Sequence, residues 1–481
     1  MHPIRFSVVI PTRERADTLR HALRTCLDQT FDDYEVIVSD NCGSPATRAV
    51  VDEIGSDKVR YLRTSEPVAM STNWEFAVSH ARGDYVIVIG DDDGLLPHGL
   101  AELDRLTREH DAPAVRWHAA FYTWPTIALA GQGDYLQVPL DRRLYTRDGA
   151  ATIREVAAFR TFYSELPMVY HGAVRRDVLD ALRVRVGSVF PHPLPDVYSG
   201  FAVAHLVNRY LVTTVPMSVS GQSRESNGVA TLFRGEQQEV TREFRHLNVK
   251  DGLRAEPTVP DLSVFPEVPV ADAFAFAQRT LFPDAKVQLD RRVLSRACLS
   301  AVRAEDLSAA KREVRRSLSD DSDLVAWFDG ELADAPHAPR PPVNYFRPTR
   351  LGVEGGALHL DAAAFDVSDV AGAARLCARL LNLCGGDVQY TQNAQAGTVT
   401  PIAEARDAEN HRNVLLAACA DREKTIHRLA AQLAELDRRL VRERRWSLKL
   451  PLRFARRLVR WVDRRLGQFG RLAAGSARPK V

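Results

Sequence analysis

Tyr85-Val86-Ile87-Val88-Ile89-Gly90-Asp91-Asp92-Asp93-Gly94-Leu95-Leu96-Pro97 is an apolar, largely β-branched run that breaks into three adjacent carboxylates. A short apolar run bounded by Gly reads as a buried strand. The three acids then fall at its carboxyl end, where open α/β sheets place their ligands. Adjacent carboxylates repel one another, and a divalent cation with hard oxygen ligands relieves that cost most directly. In an extended chain Asp91 and Asp93 point to one side and Asp92 to the other. The pattern therefore predicts a magnesium or manganese ion on Asp91 and Asp93 that also holds a diphosphate.

Working outward, Phe6-Ser7-Val8-Val9-Ile10 is a buried strand ending at Pro11-Thr12, and Ala16 to Thr30 carries apolar residues at helical spacing. Tyr34 to Val38 is a second strand that stops at the turn cluster Ser39-Asp40-Asn41-Cys42-Gly43-Ser44-Pro45, with a helix following to about Ile54. Val59 to Leu62 is a third strand, Ser71 to His80 a helix, Tyr85 to Ile89 the next strand, Pro97 to His110 a helix, and Val115 to Trp117 a strand. Strands alternating with helices imply parallel β-α-β units, so the fold class is α/β. All carboxyl ends of such a sheet share one rim. Pro11-Thr12-Arg13-Glu14-Arg15 and Asp40-Asn41 join the acidic cluster there, offering acceptors for a base and arginines for phosphate. A dinucleotide site is disfavoured, because the first turn lacks the Gly-x-Gly-x-x-Gly pattern.

These stretches, together with Ala81-Arg82-Gly83-Asp84-Tyr85 leading into Gly90-Asp91-Asp92-Asp93, resemble glycosyltransferase family 2 over roughly residues 4–217. The resemblance implies a Rossmann-like GT-A fold and an inverting transfer from a nucleotide-diphosphate sugar. It implies that Pro11 and Thr12 lie beside the nucleotide and that Asp40 contacts the base. Arg13, Arg15, Asn41, Arg82, Asp91 and Asp92 complete the expected donor site, and Asp91 and Asp93 hold Mn2+ or Mg2+. The family's second-strand motif more often reads Asp-Asp-Gly-Ser, against Asp40-Asn41-Cys42-Gly43-Ser44 here, so the base itself is left open. Asp196, ahead of a helix expected from about Gly200, is the best match to the family's general base. Pro195 stands where that family usually has a first acid.

Tyr210 to Pro216 reads as a closing strand, and Ser218 to Gly228 as a polar loop with Arg224 and Asn227 that could order over bound donor or simply lead out of the domain. His171 and His192 have no partner at a chelating spacing and read as structural or substrate-contacting. The expected division is a GT-A domain at 1–230, a mainly helical accessory region at 231–400, a short coiled coil at 401–442 and a basic amphipathic tail at 443–481. In the accessory region Val270 to Arg279 and Val293 to Leu318 have helical periodicity, 336–348 is a Pro-rich linker, and Ala357 to Leu360 reads as a strand before a helix from Val370 to Leu383.

The 481-residue chain is 45% apolar and 26% charged with a formal charge of +2, which hides a strongly basic end. Leu415, Cys419, Arg422, Ile426, Leu429, Leu433, Leu436 and Leu440 form a short coiled-coil seam, a route to a homo-oligomer or to packing on the same chain. From Arg438 onward arginines alternate with Trp446, Leu450, Phe454, Leu458, Trp461 and Phe469, a pattern suited to an anionic membrane surface. No nucleic-acid reader motif accompanies that charge. The six cysteines are scattered without a Cys-x-x-Cys pair, no apolar run spans a bilayer, and no signal peptide precedes the first strand. The expectation is a cytoplasmic protein, peripheral at the inner face of the cell membrane, with a glycan or lipid-linked acceptor. Two rivals are a sugar-phosphate nucleotidyltransferase, which would need a Gly-rich triphosphate loop after the first strand, and a catalytically silent membrane-tethered scaffold.

Overall fold

β1 (Phe6–Thr12) is the centre of the sheet system, buried along almost its whole length, with β2 (Tyr34–Asp40) and β4 (Tyr85–Val88) parallel on either side and β3 (Val59–Arg63) beyond β2. The computed structural model describes residues 4–127, 129, 131–224, 239–340, 351–354, 356–384 and 389–391. Alternation sorts the side chains: Val86 and Val88 join the core on one face of the sheet, while Tyr85, Ile87 and Ile89 join that on the other. Helices α1 (Ala16–Leu27), α2 (Pro45–Ile54) and α4 (Gly99–His110) cover the second face, and α3 (Met70–Ser79) the first.

The sheet does not continue parallel past β4. Between β4 and β6 (Ala114–Trp117) lies β10 (Gly172–Arg175), antiparallel to both. With β9 (Arg143–Asp148), β11 (Arg209–Thr213) and β15 (Gln389–Thr391), the order across the sheet is β15-β9-β11-β6-β10-β4-β1-β2-β3. Periodicity shows that a segment is a strand but not which neighbour it pairs with, and β10 reaches its place only after about eighty intervening residues.

A second sheet carries the short β5 (Gly94–Leu95), then β7 (Ala120–Thr123), β8 (Tyr135–Pro139), β12 (Ser218–Gln222), β13 (Gly352–Glu354) and β14 (Ala357–Asp361). The stretch expected as a polar loop from Ser218 is thus a strand for its first five residues, paired with β5 and β7. Its Ser/Gly composition reflects crowding, since a Cβ on Gly221 would stand 1.8 Å from the carbonyl oxygen of Asp92. Arg224 ends the described part of this segment, and Asn227 lies outside the described residues.

After α5 (Gly149–Ala157) and α6 (Arg176–Val186), helix α7 (Pro195–Val207) runs through the core, with Val197, Tyr198, Phe201, Ala202, Val203 and Ala204 buried. It begins at Pro195 and not near Gly200, because Pro at the first helical position has its φ preset and no amide to leave unpaired. The residues after 239 are largely helical as far as Leu332, but Glu267–Leu281 puts Val270, Ala273, Phe274 and Ala277 into the same core as α7. The region expected as one helical stretch from Val293 to Leu318 is two helices, Arg291–Ala301 and Leu307–Ser317. Residues 1–378 and 387–398 form one compact unit. The second unit is 379–386 with 399–481, of which only the end of the helix Val370–Cys384 is described. The coiled coil at 401–442 and the tail at 443–481 lie outside the described residues. No helix among those described is long and apolar enough to cross a membrane.

Candidate active site

The carboxyl ends of β1, β2 and β4 open into a cavity of about 2600 Å³. Its walls include Pro11 and Thr12 at the end of β1, Arg13 and Arg15 after it, Asn41 after β2, and Asp91 and Asp92 after β4. Asp196 and Tyr163 stand in the same walls, as do Arg116 within β6 and His118 just after it.

At the acidic turn, Thr12 Oγ1 donates to Asp91 Oδ2 at 2.6 Å, and Arg15 Nη1 lies 3.1 Å from Asp91 Oδ1 and 3.9 Å from Asp92 Oδ2. Asp92 Oδ2 also accepts from the Ser223 hydroxyl at 2.6 Å. Asp93 faces elsewhere and is fully buried. Its Oδ1 accepts from the Gly221 amide at 2.7 Å, and its Oδ2 from the Gly90 amide at 2.6 Å and the Tyr170 hydroxyl at 2.6 Å, with His171 Nε2 at 3.2 Å. The expectation that Asp91 and Asp93 share a side is therefore corrected: Asp91 shares Arg15 with Asp92. Alternation holds only in an extended chain, and here Asp93 folds back onto Gly90 in a turn.

Burial raises the Asp91 carboxyl, with Arg15 and Thr12 opposing it, and lifts Asp92 to about 7, with Arg15 opposing and the neighbouring acids adding. Burial pushes Asp93 up as well, but His171, Tyr170 and the Gly221 amide outweigh it and the net shift is downward. The cluster thus splits into two carboxylates turned to the cavity and one spent on structure. Mn2+ or Mg2+ on Asp91 and Asp93 would need free oxygen directions on both groups. Asp93 is fully buried, does not line the cavity and has a protein donor on each oxygen, so it and Asp91 do not face a shared divalent ion in this arrangement. Among the described residues, no group of three or more His, Cys, Asp or Glu is disposed to hold one.

Two further expectations are corrected. Asp40 is fully buried and does not line the cavity: its Oδ1 accepts from the Gly43 amide at 2.8 Å and its Oδ2 from the Tyr61 hydroxyl at 2.6 Å. Arg82 is exposed and precedes β4, which puts it at the amino-terminal edge of the sheet, the rim opposite Asp91. Asn41 does face the cavity, where its side chain pins Val68 through bonds of 2.8 and 2.9 Å. Arg13 pairs with Glu243 at 2.6 Å.

Asp196 sits in the first turn of α7, where burial raises its carboxyl and the backbone amides of the helix start and His192 oppose the shift. A raised carboxylate is a stronger base. His192 is buried against Asp272 at 3.1 Å, and His171 Nδ1 lies 2.8 Å from Ser218 Oγ, so both histidines have structural partners. The partners of Asp93 were not legible in the sequence, since Gly221 lies 128 residues away. A Ser/Gly-rich strand that can approach backbone closely was the available signal.

Residues 7–165 match the family model described as Glycosyl transferase family 2. Those residues, and not the chain as a whole, match a glycosyltransferase family 2 domain. The matched span contains the Thr12–Arg15–Asp91–Asp92 rim, and Asp196 lies beyond it. The family 2 domain is 32% identical over 108 residues to the GalNAc(5)-diNAcBac-PP-undecaprenol beta-1,3-glucosyltransferase of Campylobacter jejuni, a match covering 22% of this chain and 35% of that protein. The chain thus spans about a third of that relative's length. Among solved structures, Staphylococcus aureus TarS 1-349 in complex with UDP-GlcNAc is 14% identical with a TM-score of 0.38, covering 68% of this chain and 91% of that one. A mannosyltransferase from Pyrobaculum calidifontis in complex with GDP-Man and Mn2+ is 16% identical with a TM-score of 0.32, covering 68% of this chain and 88% of that one.

Proposed function

We propose that this chain is an inverting glycosyltransferase that moves a sugar from a nucleotide-diphosphate donor to a hydroxyl of a glycan or lipid-linked acceptor. The observation that carries the reading is one cavity with the Arg15–Asp91–Asp92 rim and the basic Asp196 in its walls. Its volume exceeds the roughly 300–1000 Å³ of an ordinary small-molecule pocket, which leaves room for donor and acceptor together.

In this reading the nucleotide lies against Pro11, Thr12, Asn41 and Val68. Asp91 and Asp92 accept hydrogen bonds from sugar hydroxyls, and Arg15 faces the diphosphate. Asp196 takes the acceptor hydroxyl proton as the oxygen attacks the anomeric carbon from the face opposite the leaving group. The bond from that carbon to the diphosphate oxygen breaks, and Arg15 stabilises the charge that develops there. Inversion follows from the family resemblance.

Incubation with a panel of nucleotide sugars, with and without manganese, should release nucleoside diphosphate from at least one. Absence of release from every donor would leave a silent scaffold, and release of pyrophosphate from a nucleoside triphosphate and a sugar phosphate would make the protein a nucleotidyltransferase.

The lipid-linked acceptor is supported by the name of the Campylobacter relative and by the basic, aromatic-rich tail. We place the enzyme at an anionic membrane surface, on the inner face of the cell membrane. Each tail Arg near such a surface contributes about 1 kcal/mol, and the interleaved Trp and Phe add apolar burial. Removing Arg438 to Val481 should abolish sedimentation with anionic vesicles while donor hydrolysis persists. Full-length binding should weaken as salt is raised. Vesicle binding that ignores truncation, salt and lipid charge would refute the membrane reading.

A further inference from the structure

The cavity wall contains a buried cationic group that the donor reading does not use. Arg116 lies on β6, a strand interior, and its side chain is only 7% exposed. Its Nε donates to the Ser164 carbonyl, and its Nη2 lies 3.0 Å from Glu165 Oε1. Its Nη1 is buried and has no hydrogen-bond partner. Arg147 approaches the same carboxylate from the other side, at 2.7 Å from Oε2, and its Nε is likewise buried without a partner.

Two guanidinium groups thus share one carboxylate, which leaves a net positive charge in a desolvated place. His118 Nε2, 3.9 Å from Glu165 Oε1, adds no third cation, because burial first and Arg116 next push its pKa down to about 4. Asp141 and Arg143, the other charged groups that His118 feels, pair with each other at 2.9 Å and cancel. A buried N–H without a partner is costly, and native proteins seldom carry one without a use. Planar donors on a buried guanidinium match the oxygens of a carboxylate or a phosphate.

The site also lies beside the chemistry. Arg116 and Arg147 grip the segment Tyr163–Glu165, and the Tyr163 phenol at its start is held up first by burial and then by the neighbouring Asp196 carboxylate. One short turn therefore links the positive group to the base.

We propose that Arg116, backed by Arg147 and limited by Glu165, is an oxyanion subsite for the acceptor, so that the acceptor carries a carboxylate or a phosphate close to the hydroxyl that is glycosylated. This rests on the reading of the cavity as a glycosyl-transfer site.

The probes are glucuronic acid, glucose 1-phosphate and neutral glucose, with binding to the full chain followed by saturation-transfer NMR and titration. Wild type should bind at least one of the two anionic sugars and show no binding of glucose at the same concentration. Which one binds separates carboxylate from phosphate. Arg116→Gln should weaken that binding at least tenfold. Glu165→Gln should strengthen it, because it removes the carboxylate that competes for the same donors. A purely structural role for the pair would give losses in both variants, and that result, equal binding to Arg116→Gln and wild type, or glucose binding as well as the anions, would overturn the proposal. Nucleoside diphosphate release is measured separately, so a protein that binds the anions through Arg116 but consumes no donor would defeat the transfer reading and leave the anion subsite standing.

Discussion

Replacing Asp196 with Asn should lower turnover by about two to four orders of magnitude, the contribution of a positioned general base, while donor affinity stays at the wild-type level. The side chain stands in the wall of the cavity at the start of α7, and the substitution keeps its size and its place in the first helical turn. The pH dependence has a definite sign. A base must be ionised, and burial holds the Asp196 carboxyl above its ordinary value of 3.8. Turnover at saturating substrate should therefore fall on acidification at a higher pH than an exposed aspartate would give, and this limb should vanish in the variant. Unchanged turnover would return Asp196 to a helix-terminal role. Of the other acids in this part of the chain, Asp177 and Asp180 are tied to Arg175 and Arg183 outside the cavity, whereas Glu165 lines it and would become the next candidate.

Much of the rim at the strand ends was legible because its information is local. The alternation of apolar residues in β1, β2 and β4 and the turn residues at their ends locate strands, and parallel strands share a rim, so Thr12, Arg15, Asp91 and Asp92 converge as expected. Arg82 could have been excluded on the same ground, since it precedes its strand. Asp40 could not. Its withdrawal from the cavity depends on the Tyr61 hydroxyl from the next strand and on the amide of Gly43, neither visible as spacing. The antiparallel β10 was hidden for a related reason: strand patterns carry no label for their partners. Gly172 opens β10, where a Cβ would come 2.0 Å from the Met168 carbonyl oxygen, and that close approach becomes apparent only once the backbone is seen. The cationic cluster was missed because Arg116, Arg147 and Glu165 come from three separate segments, and an arginine within a short strand reads as solvent-facing until the opposite layer is known.

The acidic turn yields the second large effect. Asp93 acts as a strut, and Asp93→Asn should destabilise the protein by about 1.5–3 kcal/mol, the worth of hydrogen bonds to a buried charged group. An amide in that position offers one oxygen and one N–H₂ to a set of neighbours that mostly donate: the amides of Gly90 and Gly221 and the Tyr170 hydroxyl. Part of the pocket is then left facing donor to donor, and β12 loses its anchor to the turn that carries Asp91 and Asp92. The dependence on pH follows from the lowered carboxyl of Asp93. A carboxylate stabilised in the folded state contributes fully above its unfolded value, and that contribution is lost as pH falls through its folded value. The stability gap between wild type and Asp93→Asn should therefore be full at neutral pH and close on acidification below about 4. Denaturant unfolding at several pH values, repeated with EDTA and with manganese, measures it. A gap that is the same with chelator and with metal fits a strut. A variant that keeps wild-type stability but loses manganese-dependent turnover would make Asp93 a metal ligand after all, and the turn would then have to open from the arrangement seen here before it could hold the ion.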